Sequence, residues 1–154
     1  MKSIVLLLSL CFPAAAMAQT ALPPERCDGY IGAAFARKFA DDWIASWNAH
    51  DLNRILSHYT DDFEMSSPFI ITSKVGDPSG TLKGKAKIAA YWEPGSKTAN
   101  FALIDVFAGA RSVAIHYLRL TQPSGSELRV ATEVEEFNAD CKVVRSNALY
   151  GGHQ

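Results

Sequence analysis

The chain has 154 residues, of which 48% are hydrophobic and 20% charged, and its formal net charge is −1. That length suits a single domain with a core of its own, and near-neutrality argues against nucleic acid or an anionic membrane as the main partner. Beyond the first stretch no segment approaches the about 20 apolar residues needed to span a bilayer.

Residues 1–18 carry the marks of a secretory signal peptide. Lys2 gives a positive start, residues 4–12 form an apolar core, Pro13 breaks any helix, and Ala16-Met17-Ala18 offers small residues for cleavage before Gln19. The apolar core is about half a membrane span, and bulky Leu10 argues against a lipid anchor at Cys11. The expectation is an exported protein, periplasmic or extracellular, with no stable membrane insertion after cleavage. Its mature net charge would be 14 − 16 = −2. Cleavage removes Cys11 and leaves Cys27 and Cys141. In an oxidising compartment two cysteines favour a disulfide, the alternative being two separate thiols. A bridge would close 141 − 27 = 114 residues, a constraint on the order of 4 kcal/mol. It would staple the extension at 19–34 onto a late turn. Neither cysteine has a second metal ligand at close spacing, and four scattered histidines do not make a metal site. No metal or cofactor is implied.

Residues 19–29 contain Pro23-Pro24 and Gly29 and show no period. A helix is predicted over 31–48, where Ala36, Phe39, Ala40, Trp43, Ile44 and Trp47 form one apolar stripe. Asp51 reads as the N-cap of a shorter helix carrying Leu52, Ile55, Leu56 and Tyr59. The period then becomes two, with Phe63, Met65 and Ser67 alternating with Glu64 and Ser66 until Pro68 stops the strand. A long connection follows over 69–83, with turn residues at Asp77-Pro78-Ser79-Gly80. A third helix, 85–93, gathers Ile88, Tyr91 and Trp92 before Pro94-Gly95. Strands are expected near 100–108, 111–121, 127–137 and 142–150. Gly109, Pro123-Ser124-Gly125 and Asn138-Ala139-Asp140-Cys141 mark the turns between them. This order implies an α+β fold: a cone-shaped, curved antiparallel sheet wrapped around about three helices, with an open mouth.

Trp43-Ile44-Ala45-Ser46-Trp47-Asn48-Ala49-His50-Asp51-Leu52, Tyr59-Thr60-Asp61-Asp62-Phe63 and Ser67-Pro68 together resemble the nuclear transport factor 2-like superfamily. The SnoaL-like polyketide cyclase and ketosteroid isomerase branches are the most similar. The stretch from Gly80 through Gly84-Lys85 to Tyr91-Trp92 looks like that family's third helix. Phe137 to Val144 and Ala148-Leu149-Tyr150-Gly151 look like its final hairpin, with Cys141 in a turn where relatives commonly have glycine. The resemblance covers about 35–151 and places the domain at 35–152. It implies helices and a curved sheet enclosing a ligand cavity, without specifying a function.

In the steroid isomerases a carboxylate before the strand-ending proline acts as base, while a tyrosine on the first helix and an acid on the penultimate strand bind the enolate oxygen. Those places hold Ser67, Trp43 and Glu133 here. Serine cannot shuttle the proton and an indole is a poor acid, so only Glu133 keeps the chemistry. Strand parity groups Glu133 with Ala131 and Glu135. Buried in an apolar pocket it would be a candidate acid or base; otherwise it is a rim glutamate among Glu127, Glu135 and Glu136. His116 shares a face with Ala114, Leu118 and Leu120, and the resemblance makes that face the pocket lining. It would then either pair with Glu133 for general acid–base chemistry or be a hydrogen-bonded structural histidine. His50, His58 and His153 read as helix-end and tail residues.

Among the aromatic residues, Trp47 and Tyr59 read as plain core. Trp43, Met65 and Tyr91 match pocket positions by resemblance, with Trp92 and Tyr150 beside them, and Ser67 could donate one hydrogen bond to a ligand. Ser67 has no adjacent base to make it a nucleophile. Gly80-Thr81-Leu82-Lys83-Gly84-Lys85-Ala86 is not a phosphate loop, because its glycine spacing is short and Ala86 stands where Ser or Thr is needed. Three functions remain open. The first is an exported protein binding a small apolar molecule. The second is an isomerase, dehydratase or cyclase using Glu133 and His116. The third is an assembly module, a homodimer through an outer sheet stripe of Val113, Ile115 and Tyr117.

Overall fold

The structure, a computed structural model, describes residues 26–120 and 129–151. The expected signal peptide with its cleavage site, residues 19–25 of the extension, Glu127, the turn at Pro123-Ser124-Gly125 and His153 lie outside them. Four helical segments and six strands follow in chain order: α1 (Ala33–Asn48), α2 (Leu52–Leu56), β1 (Tyr59–Ser66), α3 (Pro68–Thr72), β2 (Thr81–Lys83), α4 (Lys85–Ser96), β3 (Phe101–Ala108), β4 (Ser112–Arg119), β5 (Arg129–Phe137) and β6 (Val143–Tyr150). The strands form one curved open sheet in the order β2-β1-β6-β5-β4-β3. It is an α+β fold of the kind expected. One pair, β1 with β6, is parallel, and the rest are antiparallel.

Helix α1 forms where the apolar stripe demands it. Ala36, Phe39, Ala40, Trp43, Ile44 and Trp47 are all buried, and this face lies on the concave side of the sheet. The Trp43 ring stacks on Phe101 of β3 with centroids 5.8 Å apart. Asn48 locks that packing, because its side-chain amide donates to the Phe101 carbonyl at 2.9 Å while the Phe101 N–H donates to Asn48 Oδ1 at 2.7 Å. Asp51 caps α2 by accepting from the Arg54 N–H at 3.0 Å.

Three local readings change. Tyr59 opens β1 instead of closing the second helix; the β1–β6 register shifts between Tyr59 and Glu64, so the two-residue period is regular only from Phe63. The connection 69–83 contains α3, whose first turn begins at Pro68, and the short strand β2. Helix α4 also runs past Pro94 to Ser96.

The largest correction concerns β4. Val113, Ile115 and Tyr117 are buried against the helices, and Ala114, His116 and Leu118 take the other face. The register pairs Ile115 with Glu133 and His116 with Thr132. His116 therefore stands on the outer face, where its Nδ1 shares a hydrogen bond with Thr132 Oγ1 at 2.9 Å. The stripe expected to mediate dimer contacts is core.

Cys27 and Cys141 form a disulfide across 114 residues. The Cys27 N–H donates to the Ala139 carbonyl, which ties the segment before α1 to the β5–β6 turn. Cys141 has φ 57°, the left-handed conformation that favours glycine, in keeping with the glycine that the resemblance leads one to expect in this turn.

Candidate functional site

Alternation along β5 puts Ala131, Glu133 and Glu135 on the concave face, and all three are buried. Glu133 is 4% exposed and Glu135 is fully buried. Two residues apart on one strand face, they stand roughly 7 Å from each other along the backbone. Glu135 ends a hydrogen-bonded chain: Trp43 Nε1 donates to the Tyr59 hydroxyl at 2.8 Å, and that hydroxyl donates to Glu135 Oε1 at 2.8 Å. An indole N–H can only donate, so the direction is fixed and terminates on the carboxyl. Among the described residues Glu133 Oε2 has no hydrogen-bond partner.

Burial sets the proton affinity of both acids. It raises Glu135 to about 8, against the opposing pull of the Tyr59 hydroxyl and, less, of Ser146 across the strand pair. Glu133 is held well above the ordinary glutamate range, first by burial and then by the charge of Glu135. Burial thus favours the protonated, neutral form of both. A neutral carboxyl both donates and accepts, so Glu133 offers either function to whatever it meets.

What it faces is a cavity of about 300 Å³, partly open to solvent and lined mainly by aromatic rings. Of the residues singled out from the sequence, Trp43, Met65, Tyr91, Trp92, Glu133 and Tyr150 line it. Ser67 does not. It caps α3, accepting from the Phe69 N–H at 3.3 Å, and its hydroxyl works against the burial that raises the Tyr91 and Tyr150 phenols. His116 is excluded by its face. Phe69, at the mouth, packs on Tyr150 with ring centroids 4.4 Å apart.

Several contributors escaped sequence reasoning. Tyr117 and Arg119 of β4 line the cavity, and burial raises the Tyr117 phenol well above its ordinary value. Trp47 lines it too, while Tyr59 and Glu135 form the layer behind the wall. The missed signal was the β4 pattern itself, since Val113, Ile115 and Tyr117 are bulkier than Ala114 and His116 and fill a concave face better. Among the described residues no three His, Cys, Asp or Glu side chains cluster to hold a metal ion, and no helix is long and apolar enough to cross a membrane.

The SnoaL-like domain model matches residues 40–146, and no curated protein matches the chain. A SnoaL-like protein of unknown function from Burkholderia thailandensis is 46% identical, with 80% of this chain and 99% of that one covered and a TM-score of 0.71. A protein of unknown function with a cystatin-like fold from Methylobium petroleophilum is 17% identical, over 81% of each chain, with a TM-score of 0.63. A putative ketosteroid isomerase from Kribbella flavida is 15% identical, over 77% of this chain and 79% of that one, with a TM-score of 0.59.

Proposed function

We propose a function on the premise that this chain belongs to the SnoaL-like domain family: it is an exported protein that binds a small, mostly apolar molecule in the cavity, with Glu133 as the polar anchor. The observation that carries this reading is the Glu133 carboxyl, buried in a space of aromatic walls with one oxygen unpartnered. A buried polar group without a partner costs about 1–3 kcal/mol, and a ligand that supplies the partner recovers that cost on binding. The cavity sits at the lower end of ordinary ligand-pocket sizes, about 300 Å³, which suits a ligand of roughly ten non-hydrogen atoms at about 30 Å³ each, the volume of a liquid water. Export rests on the signal-like residues 1–18, and the disulfide is compatible with it.

Proton transfer by Glu133 to or from the bound molecule is the second reading, favoured by the second buried acid, Glu135, directly behind it. It does not involve His116. We place any pairing of two copies on the outer sheet face, where Phe107 and Leu149 are exposed.

All three tryptophans of the chain, Trp43, Trp47 and Trp92, line the cavity, so intrinsic fluorescence reports its occupancy. Titration with 1-tetralone, a neutral bicyclic ketone, is expected to give a saturable change. Ala131→Phe, which fills the space beside Glu133, is expected to abolish it while near-ultraviolet circular dichroism stays native-like. No saturable response up to the solubility limit, with this probe and with the smaller ones used below, would refute the binding reading.

A further inference from the structure

We propose that the cavity takes a small organic cation, a quaternary or protonated tertiary amine, with its charge against Glu133 and its alkyl groups against the aromatic walls. This deepens the binding reading above and rests on it.

The geometry carries the argument in two parts. First, Glu133 is 4% exposed, lines the cavity and leaves Oε2 unpartnered. Glu135 lies two residues along the same strand face, also buried. Second, the walls present aromatic rings in several orientations. Trp43 stacks on Phe101, and Trp47 meets Trp92 edge-on with centroids 5.5 Å apart. The Trp43 N–H is committed to Tyr59, so this indole has only its ring to offer a ligand. The negative face of an aromatic ring attracts a desolvated cation, and an ionised Glu133 completes its neutralisation. A neutral guest of the same shape gains the apolar contacts and neither electrostatic contribution.

Arg119 also lines the cavity, where its charge bears on the Tyr91, Tyr117 and Tyr150 phenols, so a bound cation has to seat on the Glu133 side of those rings.

Proton balance gives the proposal its signature. Burial favours the protonated form of Glu133 in the free protein, and a quaternary ammonium carries no acidic proton. Complex formation therefore converts carboxylic acid plus cation into an ion pair and releases one proton to solvent. The groups facing Glu133 are Glu135 on its own strand, Tyr59 from β1, Tyr91 from α4, Tyr117 and Arg119 from β4, and Tyr150 from β6. The four phenols are raised above their ordinary value, which leaves the two glutamates as the groups whose ionisation the ligand's charge favours.

The test compares choline with 3,3-dimethylbutan-1-ol, in which carbon replaces the charged nitrogen, by calorimetry and tryptophan fluorescence from about pH 6 to about pH 8. At the upper end choline is expected to bind at least about tenfold more tightly than the alcohol. Its affinity should rise by up to about tenfold per pH unit over the range, and calorimetry in two buffers of different protonation heat should count about one proton released. Glu133→Gln is expected to lose the preference and most of the pH slope, while native-like near-ultraviolet circular dichroism shows that the variant is folded. Alcohol binding as tight as choline, or choline binding that ignores pH, overturns the cation proposal and leaves the cavity reading standing. Failure of both probes, together with 1-tetralone, overturns the two together.

Discussion

Glu135→Gln is expected to reduce the pH dependence of stability, leaving the share that Glu133 contributes; it should match the parent near pH 4.5 and exceed it by on the order of 3 kcal/mol at pH 7. The sign follows from proton binding. The folded protein holds the Glu135 proton up to about 8, against 4.5 for an unburied glutamate. The folded state therefore binds more protons than the unfolded chain between those values, and stability falls as pH rises through that window. Below it both states are protonated and the contribution is fully present. Glutamine is neutral throughout and keeps an oxygen for the Tyr59 hydroxyl, which donates to Glu135 Oε1 at 2.8 Å. The variant should therefore lose only the titration. Urea unfolding of parent and variant at several pH values checks it, and an undiminished slope in the variant would place the titrating group elsewhere.

Cys27→Ser combined with Cys141→Ser is expected to lower stability by on the order of 4 kcal/mol, because it releases a closed loop of 114 residues in the unfolded chain. The loss should appear as a lower urea midpoint that matches the reduced parent. The cavity should be unaffected in the native baseline. The segment joined by the bridge contacts Ala139 and Gly109 in the turns at one end of the sheet, whereas Arg119 and Tyr150 line the cavity at the other end of their strands. Saturable probe binding by the double variant below its unfolding midpoint separates stapling from any role in the site.

How much of this was legible in the sequence depended on whether the information was local. The α1 stripe, the Asp51 cap and the four long C-terminal strands are set by period and by residues a few positions apart, and the structure has them within a few residues. The phase of β4 was not local. Both of its faces carry apolar residues, with Val113, Ile115 and Tyr117 on one and Ala114 and Leu118 on the other, so alternation alone leaves two solutions. Register with β5 chooses between them, and pairing Ile115 with Glu133 sends His116 outward. The same non-locality hid Glu135, whose partner Tyr59 lies 76 residues away. Ser67 was placed on the strand face because Phe63 and Met65 alternate up to it. Its hydroxyl caps α3 instead, a role that the following Pro68 signals once a helix is allowed there. Resemblance singles out Glu133 and parity sets Glu135 beside it, but neither decides between a pocket acid and a rim glutamate. The burial of both decides it, and burial raises the proton affinity of Glu133 well above the ordinary range.

The direct test of that statement is a carbon-detected magnetic resonance titration of the Glu133 side-chain carboxyl in the ligand-free protein, assigned by its loss in Glu133→Gln. A carboxyl that titrates well above the ordinary glutamate range is the predicted result. A titration near the ordinary glutamate value of about 4.3 would contradict it, and with it the picture of Glu133 as a neutral anchor in an apolar cavity.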